Sequence, residues 1–275
     1  MGKNKHAIVI MAHKNPKSVI LLTDLLKSEF DVYVHWDGKF EVPKELDGIN
    51  LIKPRIACLW AEFSIWESMW VSLLQLHDMN CYDEVTFISG DDFPCMKIHE
   101  MIKLLESTNN SFINFNDTYS SKVFGDRLIP YGMIVGHGKI EGTDELMAQY
   151  LPDKYDSTGL EFKLSRAVGS QWCTIKTNVV NKMISYVKSN PEFIKALRCS
   201  LIVDEMAFQN LFIALNLPFE DYHRRLEFVD DKGHPRLIEE SEVMDMIESN
   251  GDIMFCRKVD VSSFQHLDEI KELLK

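Results

Sequence analysis

Residues 7–12 read Ala7-Ile8-Val9-Ile10-Met11-Ala12, an unbroken apolar run leading into His13-Lys14 and then Asn15-Pro16. A short continuous apolar segment is what a strand buried on both faces looks like, as in a parallel sheet covered by helices. Asn15-Pro16 opens the next element, a helix predicted through Ser18–Lys27. The same alternation continues outward from this pair. Val32–Trp36 predicts a second strand ending at His35-Trp36-Asp37-Gly38, where Asp-Gly marks a turn, and Asn50–Ile52 a short third. Ser64–His77 is the clearest helix, with Ile65, Trp66, Met69, Trp70, Leu73 and Leu74 on one stripe. Val85–Ser89 predicts another buried strand, running into a turn at Gly90-Asp91-Asp92-Phe93-Pro94. Lys97–Glu106 reads as a helix and Phe112–Phe115 as a strand. This succession predicts an α/β fold with a mostly parallel central sheet flanked by helices. In such sheets ligands bind beyond the carboxyl ends of the strands.

The rest of the chain is less regular. Residues 116–167 lack strong periodicity and read as a loop-rich excursion over the site. Regularity returns with a strand at Trp172–Ile175 and helices at Asn178–Lys188 and Asp204–Leu215. A turn-rich tail, Asp230–Pro235, precedes a last helix and strand near Glu239–Val259. No repeat or interdomain linker interrupts the pattern, so one domain over residues 1–275 is expected.

The bulk composition narrows the function classes. The chain has 275 residues, 45% apolar and 26% charged, with a net charge of −12. An acidic chain of this kind lacks the positive face a generic nucleic-acid binder needs. A local basic pocket for a small anion is still compatible with it. The six cysteines are scattered, with no CxxC or Cys/His ligand spacing, and read as reduced, mostly buried thiols. No segment reaches the roughly 18–20 uninterrupted apolar residues of a membrane span. A cytoplasmic location follows as an expectation, with contact to the inner face of a membrane through an acceptor or partner.

Several residues could carry chemistry. Asp204 is a good N-cap residue, which puts Glu205 in the first turn of the helix over Asp204–Leu215. Both acids suit the helix dipole, and that alone could explain them. Glu205 could equally be a carboxylate aimed into a cleft as general base, its pKa lowered by the helix terminus. Gly233-His234-Pro235-Arg236 and Phe255-Cys256-Arg257-Lys258 are either a solvated basic surface or a clamp for phosphoryl groups. Cations so placed would neutralise a diphosphate leaving group, the task otherwise given to a divalent metal. Asp91 and Asp92 are adjacent, so on a strand they point to opposite faces, a weak metal motif. His13, His35 and His99 show no metal-ligand spacing. The tryptophan stripe reads as core, whereas Trp172, after Gly169-Ser170-Gln171, could be core or stack on a sugar ring. No GxGxxG or GxxxxGK[ST] occurs, which disfavours a nicotinamide-linked dehydrogenase.

The order of these segments resembles the core-2/I-branching glycosyltransferase family, which includes β-1,6-N-acetylglucosaminyltransferases and peptide O-xylosyltransferases, and the chain looks like a short bacterial-type member. The segments are Ile10–Pro16, Val34–Asp37, Ile88–Pro94, Gly169–Trp172, Asp204-Glu205, His234–Arg236 and Phe255–Lys258. The resemblance implies a GT-A-type, Rossmann-like fold and an inverting, metal-independent transfer from a UDP-sugar. It makes Glu205 the catalytic base and assigns Arg236 and Lys258, with Arg257 beside them, to the diphosphate. His13, Asp37, Asp91 and Asp92 fall on the nucleotide and sugar side of the donor, and Ser170, Gln171 and Trp172 on the acceptor side. No metal and no other cofactor is implied. The expected partners are a UDP-sugar, with N-acetylglucosamine leading, and a glycan or glycolipid acceptor, as in surface polysaccharide synthesis. UDP-xylose, UDP-galactose in either ring form, or a non-catalytic nucleotide-sugar-binding protein are the alternatives.

Overall fold

A computed structural model describes residues 5–60, 62–115, 164, 167–198, 200, 202–220, 225–227, 236–249 and 251–275. The apolar runs near the start of the chain form β1 (His6–Ala12), β2 (Asp31–Trp36), β3 (Asn50–Leu51) and β4 (Glu84–Ser89). These pair in parallel, with Ile10 opposite Val34 on one side and opposite Ile88 on the other. The main sheet has seven strands in the order β3-β2-β1-β4-β7-β6-β8, where β6 is Ser111–Phe112, β7 Thr174–Lys176 and β8 Phe219–Glu220. Only β7 runs antiparallel to its neighbours, against β4 and β6. The mostly parallel α/β architecture expected from the pattern is therefore the one observed. The chain leaves β1 towards β2 and β3, then crosses back to place β4 on the other side of β1. That reversal is the topological switch point at which open α/β sheets bind ligands.

Alternation along each strand sends side chains to two separate cores. Ile8, Ile10 and Ala12 pack with helix α1 (Pro16–Leu26), α3 (Ile98–Glu106) and the C-terminal elements. Ala7 and Val9 face the other way, with α2 (Phe63–Asp78), α4 (Thr177–Ser189), α5 (Pro191–Arg198) and α6 (Ala207–Ala214). Trp66 is fully buried in this second core, so the tryptophan stripe holds α2 to the sheet. Cys95, Cys173 and Cys256 are buried thiols, while Cys199 lies outside the described residues. Among the described residues no helix is long and apolar enough to cross a membrane.

Some local expectations are corrected. Asp92–Pro94 is not a simple turn but strand β5, which joins β9 (Arg225–Glu227) and β10 (Phe255–Arg257) in a small second sheet. Its partner is far away in sequence, Cys256 standing opposite Phe93. The strand expected at Phe112–Phe115 pairs only at Ser111–Phe112, and the one expected at Trp172–Ile175 starts at Thr174. The predicted helix over Asp204–Leu215 is broken into a 3₁₀ turn, Val203–Glu205, and α6. The break falls at Met206, whose φ of −137° is not helical, and Ile202 just before the turn takes the left-handed conformation at φ 56°. A β-branched residue there is an outlier, with a cost of about 1–3 kcal/mol that surrounding packing must hold. Helices α5, α7 (Glu240–Glu248) and α8 (Leu267–Leu273) complete the chain, α5 and α8 being absent from the sequence pattern.

The opposite end of the sheet is closed by charge. Glu84, fully buried at the start of β4, forms ion pairs with Lys176 of β7 and with His6 Nδ1 of β1. Lys176 Nζ also donates to the Leu105 carbonyl at 2.7 Å.

Candidate active site

Beyond the carboxyl ends of β1, β2 and β4 lies a cavity of about 360 Å³. Its walls include His13, His35, Asp37 and Ser89 from the strand ends, Gln171 and Trp172, Asp204 and Glu205, and Arg257. Backbone bonds stitch this rim together. Asp37 N donates to Ala12 O at 2.8 Å, and Gly90 N to Met11 O at 3.0 Å. The cavity thus occupies the switch point of the sheet.

Asp37 is held rigidly where β2 ends. Its Oδ1 accepts from the backbone N–H of Lys39 at 2.9 Å and of Cys58 at 3.2 Å, and Lys39 Nζ lies 3.6 Å from Oδ2. Gly38 next to it has no room for a side chain. A Cβ there would sit 2.8 Å from the Arg55 carbonyl oxygen and 2.9 Å from Ala57 N. His35 is buried, and its Nε2 accepts from Ile56 N at 3.0 Å. Burial pushes its pKa down to about 4, against the opposing charge of Asp37, so the imidazole stays neutral. Burial pushes the Cys58 thiol up to about 11, which leaves it protonated and a poor nucleophile. His13 is exposed and stacks on Phe40, ring centroids 6.3 Å apart. Trp60, 63% exposed, lies at the mouth.

The acidic pair differs from expectation. Asp204 is not an N-cap: it sits inside the 3₁₀ turn with its carboxyl buried, and α6 begins three residues later. Burial raises its pKa to about 6, its own backbone N–H opposing this. Oδ1 meets no hydrogen-bond donor among the described residues. The helix start expected at Asp204 is instead a turn that precedes α6. Glu205 is less buried and lines the same cavity. Its carbonyl accepts from Gly169 N at 2.9 Å.

Gly169 fixes this wall. A Cβ on it would stand 1.8 Å from the Asn114 carbonyl oxygen, a backbone atom that cannot yield cheaply. Gln209 Nε2 seals the crossing by donating to Ser170 O at 3.0 Å and to Asn114 O at 3.3 Å. Ser170 itself is part of this seam, its Oγ accepting from Trp172 N at 3.3 Å, and does not line the cavity. Gly169→Ala should therefore cost about 1–3 kcal/mol by overpacking. Urea unfolding measures it, and a wild-type midpoint would show that the crossing is looser than described.

The basic residues divide. Arg257 lines the cavity, its guanidinium 5.4 Å from the centroid of the Trp172 ring and its Nε 3.7 Å from buried Asp92 Oδ1. Asp92 Oδ2 accepts from Ser89 N at 3.0 Å, so this acid braces the rim and the arginine. Asp91 pairs with Lys14 at 3.0 Å. Neither acid lines the cavity. Arg236 is engaged elsewhere, NH1 donating to Glu242 Oε2 at 2.9 Å and NH2 to Oε1 at 2.5 Å. That hydrogen bonding, with the Glu239 N–H, holds the Glu242 carboxyl down at about 2. Lys258 follows Arg257 but is not a wall of the cavity. His234 and Pro235 lie outside the described residues. Among the described residues no three His, Cys, Asp or Glu side chains are grouped to hold a metal. Sequence reasoning singled out Asp204 only as a cap, and did not find Ser68, Ile202 or Trp60 at the cavity at all.

No family model matches the chain, and no curated protein is significantly similar to it. Solved structures do show a likeness. The galactosyltransferase LgtC, in complex with donor and acceptor sugar analogs, is 12% identical over 75% of this chain and 70% of that one, with a TM-score of 0.36. An active-site mutant of LgtC is 12% identical over 97% of this chain and 94% of that one, with a TM-score of 0.41. Likeness at this level decides neither activity nor ligand.

Proposed function

We propose that this cavity binds a UDP-sugar and transfers the sugar, with inversion, to a hydroxyl group of a glycan or glycolipid. The observation that carries the reading is the convergence of Asp37, Gln171, Trp172, Glu205 and Arg257 on one cavity at the sheet's switch point. These residues come from segments whose order resembles the core-2/I-branching glycosyltransferases, and their meeting in one place is what a shared site requires.

In this mechanism Asp37 meets the uridine, with His13 beside it. Glu205 takes the proton of the acceptor hydroxyl as that oxygen attacks the anomeric carbon from the face opposite UDP. The bond from that carbon to the diphosphate oxygen breaks, and negative charge grows on the departing UDP. Arg257 lies nearest to stabilise it, without a metal, in a site where one such donor is worth about 3 kcal/mol. Arg236 and Lys258 complete the clamp, although Arg236 reaches a diphosphate only by releasing Glu242. An α-linked donor then gives a β-linked product. N-acetylglucosamine is the leading sugar, ahead of xylose and galactose, and the acceptor belongs to a surface polysaccharide or glycolipid handled on the cytoplasmic side.

The test is a thermal-shift and transfer screen with UDP, the three UDP-sugars and NAD, in EDTA and in manganese. Stabilisation by UDP and donor consumption in EDTA are expected. Stabilisation by NAD alone would sink the reading, and activity that needs manganese would remove its metal-free part.

A further inference from the structure

Polar groups along the cavity differ in depth. Asp37, His35, Ser89 and Asp204 are all buried, whereas Glu205, Gln171 and His13 stand nearer the opening. Most of the deep groups are satisfied within the protein. His35 accepts from Ile56, Asp37 from Lys39 and Cys58, and Ser89 Oγ from Asp91 N at 3.1 Å. Among the buried acids, histidine and serine of this wall, Asp204 is the exception. It is 8% exposed, lines the cavity, and its Oδ1 meets no donor among the described residues.

A buried carboxylate oxygen without a donor is costly, and native proteins retain such groups where a ligand completes them. The left-handed Ile202 stands just before this turn and lines the same cavity. The acceptor substrate must approach Glu205 from the open side, which leaves the floor to the donor. A carboxylate only accepts hydrogen bonds, so its complement is an O–H or N–H group. At the reacting end of a nucleotide sugar, that group is a ring hydroxyl.

We propose that Asp204 accepts a hydrogen bond from a ring hydroxyl of the donor's sugar, and so makes the site bind UDP-sugar in preference to UDP. This rests on the cavity being the UDP-sugar site. It adds a donor-selecting residue to that site, one with no part in the proton transfer assigned to Glu205.

The test is calorimetric titration of wild type, Asp204→Asn and Asp204→Ala with UDP, UDP-N-acetylglucosamine, UDP-galactose and UDP-xylose, with and without manganese. Wild type is expected to bind one UDP-sugar more tightly than UDP. Asp204→Ala should lose roughly tenfold or more on that sugar nucleotide, Asp204→Asn less, and both should keep wild-type UDP affinity. Melting temperatures of the free variants should equal or exceed that of wild type, since an uncompensated buried charge is removed. Undiminished UDP-sugar affinity in Asp204→Ala overturns the proposal. So does a variant that melts early and loses UDP and UDP-sugar together, the mark of a structural role. So does a wild type for which no sugar improves on UDP. A wild type that binds no UDP at all removes the reading of the site itself, and is told apart from these by that first titration.

Discussion

Replacing Glu205 by glutamine is expected to lower sugar transfer by about 10²–10⁴-fold, the usual contribution of a positioned general base, while UDP affinity stays at its wild-type value. Glutamine keeps the side chain's shape but cannot take a proton from the acceptor. The backbone contact from Gly169 N to the residue 205 carbonyl does not involve the side chain and should persist. The loss should therefore fall on kcat and not on donor binding. A Glu205→Gln enzyme turning over near the wild-type rate would show that another group takes the proton, and Asp204, in the same cavity, would be the next to test.

Glu84→Ala should be the most damaging change to stability, by about 3–5 kcal/mol, because it leaves a buried cation without its counter-charge. Glu84 is 0% exposed and joins Lys176, itself buried, to His6 across three strands. Alanine would strand the Lys176 ammonium with the Leu105 carbonyl, and a loss of this size is a large part of the roughly 5–15 kcal/mol that holds a domain folded. Glu84→Gln, which keeps a polar carbonyl oxygen facing Lys176, should cost less. Urea unfolding measures both, and equal losses would refute the charge argument.

The same cluster predicts a pH dependence. Burial alone would lower the His6 pKa, but the hydrogen bond and charge of Glu84, with Glu106 further out, outweigh it and raise the value above 6.5. A raised histidine contributes stability that is complete below its unfolded pKa and is lost as pH rises through the folded one. Stability should decline as pH rises above 6.5 through the raised value, and less so in His6→Gln.

Much of the framework was legible because it rests on local periodicity. The run Ala7–Ala12 matched what a strand buried on both faces looks like, and its neighbours Val32–Trp36 and Val85–Ser89 followed the same rule. Asp37 at a strand end was visible as an Asp-Gly turn, and Trp66 as part of a helical stripe. What escaped the sequence depends on contacts between distant segments. Strand β5 exists because Phe93 meets Cys256, a pairing that closes only when both ends of the chain are in place.

The site divides along the same line. The residue types were readable from the chain: acids at 204 and 205, cations at 236, 257 and 258, and an indole at 172. Tertiary structure alone decided which of them share a cavity. Helix α7 carries Glu242 to Arg236 and occupies that arginine, while the β5–β10 pairing sets Arg257 beside Asp92 and Trp172. The expected cap at Asp204 became a buried carboxyl in a 3₁₀ turn, beside Val203 in the second core and ahead of the helix proper. Composition and spacing determine what a residue can do, and long-range packing determines which residues do it together.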